Sequence, residues 1–172
     1  FGSGSSGRLG HGDHEDQHTP RRIEALHGVR ACGVAAGGCH SLVVSAAGRV
    51  YSFGFGCYGA LGHGDKADQL TPRLIEALRG VRVSAVAAGG LHALALSEGK
   101  VYSFGSGDGG RLGHGDEEHT STPHVIAGLR GVRSIAAGTA TSLAVDSAGA
   151  AFGWGEGKAL GLLMEQPTKQ LA

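Results

Sequence analysis

Apolar side chains along this chain arrive in short bursts instead of helical stripes. Between Phe53 and Ser103 the bursts are Arg73-Leu-Ile-Glu-Ala-Leu78, Ser84-Ala-Val-Ala-Ala88, His92-Ala-Leu-Ala-Leu-Ser97 and Lys100-Val-Tyr-Ser-Phe104. Each has the length of a strand, is bounded by Gly, Pro, Asp or Ser, and is too short for a stable helix. The spacing predicts a four-stranded antiparallel meander in this stretch. Ser97-Glu-Gly-Lys100 reads as the hairpin turn between the last two strands, with Gly99 free to take a positive φ. Ser45-Ala-Ala-Gly-Arg49 and Asp146-Ser-Ala-Gly-Ala150 do the same with one more residue.

The pattern recurs. Phe1, Phe53, Phe104 and Trp154 stand 52, 51 and 50 residues apart, and Leu-Gly-His-Gly-Asp and Thr-Pro follow each of the three phenylalanines. A repeat of about fifty residues implies one supersecondary unit copied along the chain. Ala35-Ala36, Ala87-Ala88 and Ala136-Ala137, each followed by Gly, put the smallest side chains at one fixed point of the unit. Small residues suit the place where sheets converge on an axis, which favours an all-β β-propeller over a β-solenoid. Residues 1–172 thus read as a single partial propeller of four-stranded antiparallel blades. The repeats fall at approximately 1–52, 53–103 and 104–153, and a fourth begins at 154–172.

Composition removes several functions. Fifteen basic and fifteen acidic residues among 172 leave no positive excess for phosphate binding, so nucleic acid is not the expected partner. The 33 glycines sit at fixed repeat offsets and mark turns. Cys32, Cys39 and Cys57 form no Cys-x-x-Cys pair and read as buried free thiols, which points to an intracellular, cytoplasmic or nuclear, setting. No apolar run reaches transmembrane length. The chain begins in mid-repeat without Met, so a missing signal peptide carries no information.

Repetition also discounts the apparent sites. Gly2–Gly7, Gly54–Gly59 and Gly105–Gly110 each match a dinucleotide fingerprint, but no helix is predicted after any of them. His11, His63 and His114 share one repeat position, and equivalent atoms on packed sheets lie about 10 Å apart, too far to share a metal. Asp13, Asp65 and Asp116 read as Asx-type turn residues, and His40 and His92 as core or turn histidines, because Thr141 replaces them in the third unit. Arg30, Arg82 and Arg133 could line one rim, with pairing to carboxylates such as Glu24 and Glu76 the expected arrangement. No catalytic constellation stands out, and the reading calls for no cofactor and no metal. What differs between copies sits in loops, where recognition concentrates. Phe55, Tyr58, Leu70 and Leu91 are the candidate protein-interaction residues.

Phe53-Gly-Phe-Gly-Cys-Tyr-Gly-Ala-Leu-Gly-His-Gly-Asp65, Thr71-Pro72, Val86-Ala-Ala-Gly89, His92 and Val101-Tyr-Ser-Phe-Gly105 resemble the regulator-of-chromosome-condensation repeat. That family forms seven-bladed propellers, so the resemblance implies that three repeats and part of a fourth belong to a larger ring. Its members include exchange factors for small GTPases, substrate-recognition parts of ubiquitin ligases, a plant ultraviolet-B photoreceptor and scaffolds. Photoreception by that mechanism needs clustered Trp and Arg, and Gly38-Cys39, Gly90-Leu91 and Thr139-Ala140 stand at those positions, with Trp154 the only Trp. The expectation is therefore a non-catalytic interaction module with a protein partner on one face. Nucleotide exchange on a small GTPase and substrate recognition for a ubiquitin ligase are the alternatives. No membrane contact is expected, and the open ends should be covered by further blades or other chains.

Overall fold

A computed structural model describes residues 1–157. Three antiparallel sheets follow one another along the chain. The first contains β1 (Ala31–Ala36), β2 (His40–Ser45), β3 (Val50–Gly54) and β4 (Gln69–Leu74). The second contains β5 (Ala85–Ala88), β6 (His92–Ser97), β7 (Lys100–Gly105) and β8 (Thr120–Val125). The third contains β9 (Val132–Ala137), β10 (Thr141–Asp146) and β11 (Ala151–Gly155). This is the all-β partial propeller, with each sheet a blade.

The blades are out of phase with the sequence repeat. The burst Arg73–Leu78, expected to be one strand of its own unit, divides. Arg73 and Leu74 end β4, which pairs back onto β3 through Tyr51↔Leu74, Ser52↔Arg73 and Gly54↔Gln69. Glu76–Leu78 forms a 3-10 turn instead. Each outer strand is thus supplied by the next copy of the repeat, which ties adjacent blades together covalently. Pro72 and Pro123 lie in β4 and β8, at the outer edge, where a missing N–H leaves no ladder bond unmade. The isolated bridge Gly2↔Gln17 is the counterpart of Gly54↔Gln69 and Gly105↔Thr120.

The cores lie between blades. Along β6, Ala93 and Ala95 join Leu42, Val44, Val50, Ile75, Leu78, Val83 and Phe104 between the first two blades. Leu94 and Leu96, on the opposite face of the same strand, join Val101, Ile126, Leu129, Val132 and Ala144 between the second and third. This is the period of two expected of a strand buried on both faces, with small side chains on one side and large on the other. Phe53, Phe104 and Trp154 each close against the glycine of a Leu-Gly-His turn, at Gly10, Gly62 and Gly113. Trp154 also donates its indole N–H to the Arg111 carbonyl at 3.0 Å. The outermost faces expose apolar side chains: Phe1 (76%) and Val34 (75%) on one, Leu143 (48%) and Phe152 (40%) on the other.

At the inner edge the Gly37-Gly38 and Gly89-Gly90 pairs let backbones touch. Gly38 donates to the Gly89 carbonyl at 2.9 Å and Gly90 to the Thr139 carbonyl at 3.1 Å, while a Cβ on Gly37 would collide with the Gly89 carbonyl. Beneath them lie His40 and His92, both fully buried. Ser142 Oγ donates to the Arg111 carbonyl at 2.8 Å, so His92 Nε2–H donates to Ser142 Oγ, at 2.9 Å. The residue equivalent to Ser142 facing His40 is Ala93, and both ring nitrogens of His40 are without a partner. Ala93→Ser should therefore supply the missing acceptor and raise the urea unfolding free energy by about 1 kcal/mol. An unchanged or lowered unfolding midpoint would show that His40 gains nothing from a hydroxyl there.

Candidate protein-interaction face

One edge of every blade carries the long loops, residues 1–16, 55–68 and 106–119, and they share a common construction. Ser52 Oγ donates to the Leu61 carbonyl at 2.6 Å and lies 3.0 Å from His63 Nε2; Ser103 does the same with Leu112 at 2.7 Å and His114 at 3.0 Å. Since the hydroxyl proton goes to the carbonyl, the histidine Nε2–H must donate to the serine. Asp13, Asp65 and Asp116 each accept, at 3.1 Å, from the amide two residues on, at Glu15, Ala67 and Glu118. Asp16 and Asp68 accept from the Gly4 and Gly56 amides at 2.9 and 2.8 Å. Apart from the two serine–histidine contacts, each of these bonds fixes a backbone group, so the loops are a rigid platform for whatever side chains they display.

The third unit departs from this scheme in a way that brings two loops together. His119 stands where Asp16 and Asp68 stand elsewhere, and its Nδ1 accepts from the Gly107 amide at 3.0 Å. The proton of the neutral ring is therefore on Nε2, which lies 3.9 Å from the Asp108 carboxylate. The ring also meets Tyr58 of the preceding loop edge to face, centroids 4.7 Å apart. Tyr58 has a φ of +59°, at the loop tip where Ser6 and Gly109 have +56° and +63°. A bulky residue in the left-handed region costs of order 1 kcal/mol, and such strain concentrates at functional sites.

Phe55, Tyr58 and Leu91 are half-buried on this loop face, with Phe55 N–H bonded to the Cys39 carbonyl and the Leu91 carbonyl accepting from Ser106. Leu70 lies in β4, pressed against Gly7 so closely that a Cβ there would meet its Cα and Cδ2. Three of the four candidates thus share a face, and the fourth packs between neighbouring units. The Tyr58–His119 pair was not read from the sequence; its signal was the single replacement of Asp by His at a repeated position.

Neutral overall charge conceals a separation. The loop edge holds Asp13, Glu15, Asp16, Asp65, Asp68, Asp108, Asp116, Glu117, Glu118 and Glu156, against Arg8, Lys66 and Arg111 and against Arg21 and Arg73, which pair with Asp13 at 3.9 Å and Asp65 at 3.2 Å. The opposite edge holds Arg30, Arg49, Arg79, Arg82, Lys100, Arg130 and Arg133, against Glu24, Glu76, Glu98 and Asp146. The expected pairing of Arg30, Arg82 and Arg133 with Glu24 and Glu76 does not occur among the described residues. Glu76 instead pairs with Arg79 at 3.0 Å, three residues on in its own turn, and Arg133 donates to the Asp146 carbonyl. The cysteines are free, but contrary to expectation none is fully buried: Cys32 is exposed at a bulge in β1, and Cys39 and Cys57 are half-buried. Among the described residues no three His, Cys, Asp or Glu side chains are grouped to hold a metal, and no helix is long and apolar enough to cross a membrane.

The family model described as the Regulator of chromosome condensation (RCC1) repeat matches residues 1–44, 47–96 and 98–145. This chain belongs to the RCC1 repeat family. Over 162 residues it is 41% identical to the ultraviolet-B receptor UVR8 of Arabidopsis thaliana, covering 92% of this chain and 37% of that protein. It is 43% identical to the E3 ubiquitin-protein ligase HERC2 of Homo sapiens, covering 91% of this chain and 3% of that protein. Among solved structures, Prp20p from Saccharomyces cerevisiae superposes with a TM-score of 0.80 at 28% identity, covering 92% of this chain and 41% of its own. The chain spans well under half the length of these relatives.

The buried histidines of these RCC1 repeats give the fold a pH limit. Burial lowers the pKa of His40, His63 and His92 from 6.5 to about 4, with Arg73 adding to the effect at His63 and Arg111 at His92. The unfolded chain therefore binds more protons than the folded one between these values. Stability should be full above pH 6.5 and fall as pH drops from 6.5 towards 4. Urea unfolding midpoints measured across this range check it, and a flat profile would refute it.

Proposed function

We propose that this chain is a non-catalytic protein-interaction module, an arc of a seven-bladed RCC1-type ring within a larger intracellular protein or assembly. The observation that carries the reading is Tyr58, held in a strained backbone against His119 on loops whose every other feature serves rigidity. Phe55 and Leu91 on the same face supply further apolar area for a hot spot, and the carboxylates around them favour a partner surface rich in Lys and Arg. Prp20p, the yeast relative, binds Gsp1p and histones, and histones are basic proteins of that kind. Remaining blades, or other chains, cover Phe1 and Val34 at one end and Leu143 and Phe152 at the other.

Two further readings have their own support. Likeness to Prp20p favours regulation of a small GTPase, exerted by binding and distorting it without covalent chemistry. Likeness to HERC2 favours recognition of substrates for a ubiquitin ligase whose chemistry lies elsewhere in the chain. The 41% identity to UVR8 does not extend to light sensing, since Gly38-Cys39, Gly90-Leu91 and Thr139-Ala140 lack the aromatic and basic cluster that sensing requires.

Tyr58→Asn keeps a residue that tolerates the left-handed region while removing the ring. Combined with Phe55→Ala and Leu91→Ala, it should leave the folded circular-dichroism spectrum intact yet abolish capture of partner proteins by immobilised chain. Capture of the same set by the variant would overturn the interaction face. Release of labelled GDP from a panel of small GTPases should be unaffected by the chain, and acceleration of any member would replace the module reading with that of an exchange factor.

A further inference from the structure

On the edge opposite the long loops, a cavity of about 290 Å³ opens between the first and second blades. Its floor is apolar, formed by Val50, Ile75 and Leu78, and its rim carries Arg49, Arg79 and Arg82. An adjoining cavity of about 240 Å³ shares Gly80, Val81 and Arg82 with it and adds Lys100 and Tyr102. Arg82 is the hinge between the two, and its backbone is clamped from both blades. Val83 N–H donates to the Gly48 carbonyl at 3.1 Å, and Ser97 Oγ donates to the Arg82 carbonyl at 2.8 Å. The side-chain stem lies against Gly48, where any Cβ would strike the Arg82 Cγ.

Arg82 also differs from its copy. Arg133, at the same repeat position, commits its Nε–H to the Asp146 carbonyl, whereas among the described residues the side chains of Arg49, Arg82 and Lys100 make no ion pair or hydrogen bond. Glu98 lines the second cavity and Glu76 holds Arg79, so cations at the groove outnumber carboxylates four to two. Guanidinium groups of this kind bind carboxylates in bidentate fashion. The apolar floor adds a place for a hydrocarbon side chain, which a bare phosphate or a nucleic-acid backbone does not offer.

We propose that this groove binds an acidic peptide segment, seating one apolar side chain over Val50, Ile75 and Leu78 and its flanking carboxylates on Arg49, Arg82 and Lys100. The proposal rests on the reading of the chain as a protein-interaction module, and it gives that module a second surface of opposite charge from its loop face. The carboxylate excess of the loop edge repels such a segment, so binding is confined to this side.

Fluorescence anisotropy of this chain with a labelled Asp-Glu-Leu-Phe-Asp-Glu peptide tests it. Saturable binding is expected, about tenfold weaker for Arg82→Gln, as for the loss of one charge-assisted hydrogen bond. Binding should also weaken when Ser-Ser replaces Leu-Phe, and stay unchanged for Arg133→Gln. The triple loop variant Phe55→Ala, Tyr58→Asn, Leu91→Ala should bind the peptide normally, which separates this surface from the loop face. Absence of saturable binding, insensitivity to Arg82→Gln, or equal binding of a labelled oligothymidylate of matched charge would overturn the proposal. Thermal melts of each variant exclude misfolding, since Arg82 and Arg133 are exposed.

Discussion

Sheets that converge on a common axis leave no room for side chains at their inner edge, and most of the structure follows from how this chain meets that limit. Gly37-Gly38 and Gly89-Gly90 bring neighbouring backbones to hydrogen-bonding distance, 2.9 Å from Gly38 to the Gly89 carbonyl. Moving outward, the blades diverge and side chains must grow, so the alanines of β5 and β6 give way to Val101, Phe104, Ile126 and Leu129. The same taper demands that His40 and His92 be buried with little around them to bond. Ser142 answers that demand in one gap and nothing answers it in the other. Repetition copies the shape of a solution faithfully, but each copy satisfies its polar groups by its own local means.

The strands were legible because the bursts around β6 and β7 alternate with a period of two and end at Gly or Ser, and the inner edge was legible because Ala-Ala-Gly recurs. What the periodicity could not reveal was phase. A repeat read as beginning at Phe53 can be cut into blades at several points, and only the pairing of Leu74 with Tyr51 shows that the outer strand crosses to the previous unit. Nothing local in Arg73-Leu-Ile-Glu-Ala-Leu78 announces that its first part is strand and its last part a 3-10 turn. The decision is made by register against β3, a long-range contact. Leu70 was hard to place for a related reason: a variable apolar residue in a loop-like stretch lies in β4, pressed against Gly7.

Charge was the least legible property, because its sum is zero. Meander topology sends every Asp-rich stretch after Leu-Gly-His to one edge and every Gly-Val-Arg segment to the other, so that a neutral chain becomes a bipolar one. The sequence held both sets of residues at regular spacing, but their separation exists only once strand direction is known. Arg30, Arg82 and Arg133 illustrate the point. Glu24 and Glu76 lie close to them along the chain, yet Glu76 turns back onto Arg79 within its own 3-10 turn, and the rim stays cationic.

Framework and recognition can then be told apart by what each hydrogen bond holds. Ser52, Ser103, Asp65 and Asp116 all bind backbone, and they recur because every blade needs the same loop shape. His119 performs the framework task of Asp68 with one nitrogen, places the other 3.9 Å from Asp108, and sets its ring edge to face against Tyr58. A substitution that preserves the fold's bond while adding a second contact is one that selection for stability alone would not require, since an aspartate already sufficed in the other two copies. The left-handed Tyr58 points the same way, because glycine fills that turn without strain in the third copy. Side chains that exceed what the scaffold needs, at positions the scaffold holds rigid, are where we propose that this arc of blades recognises another protein.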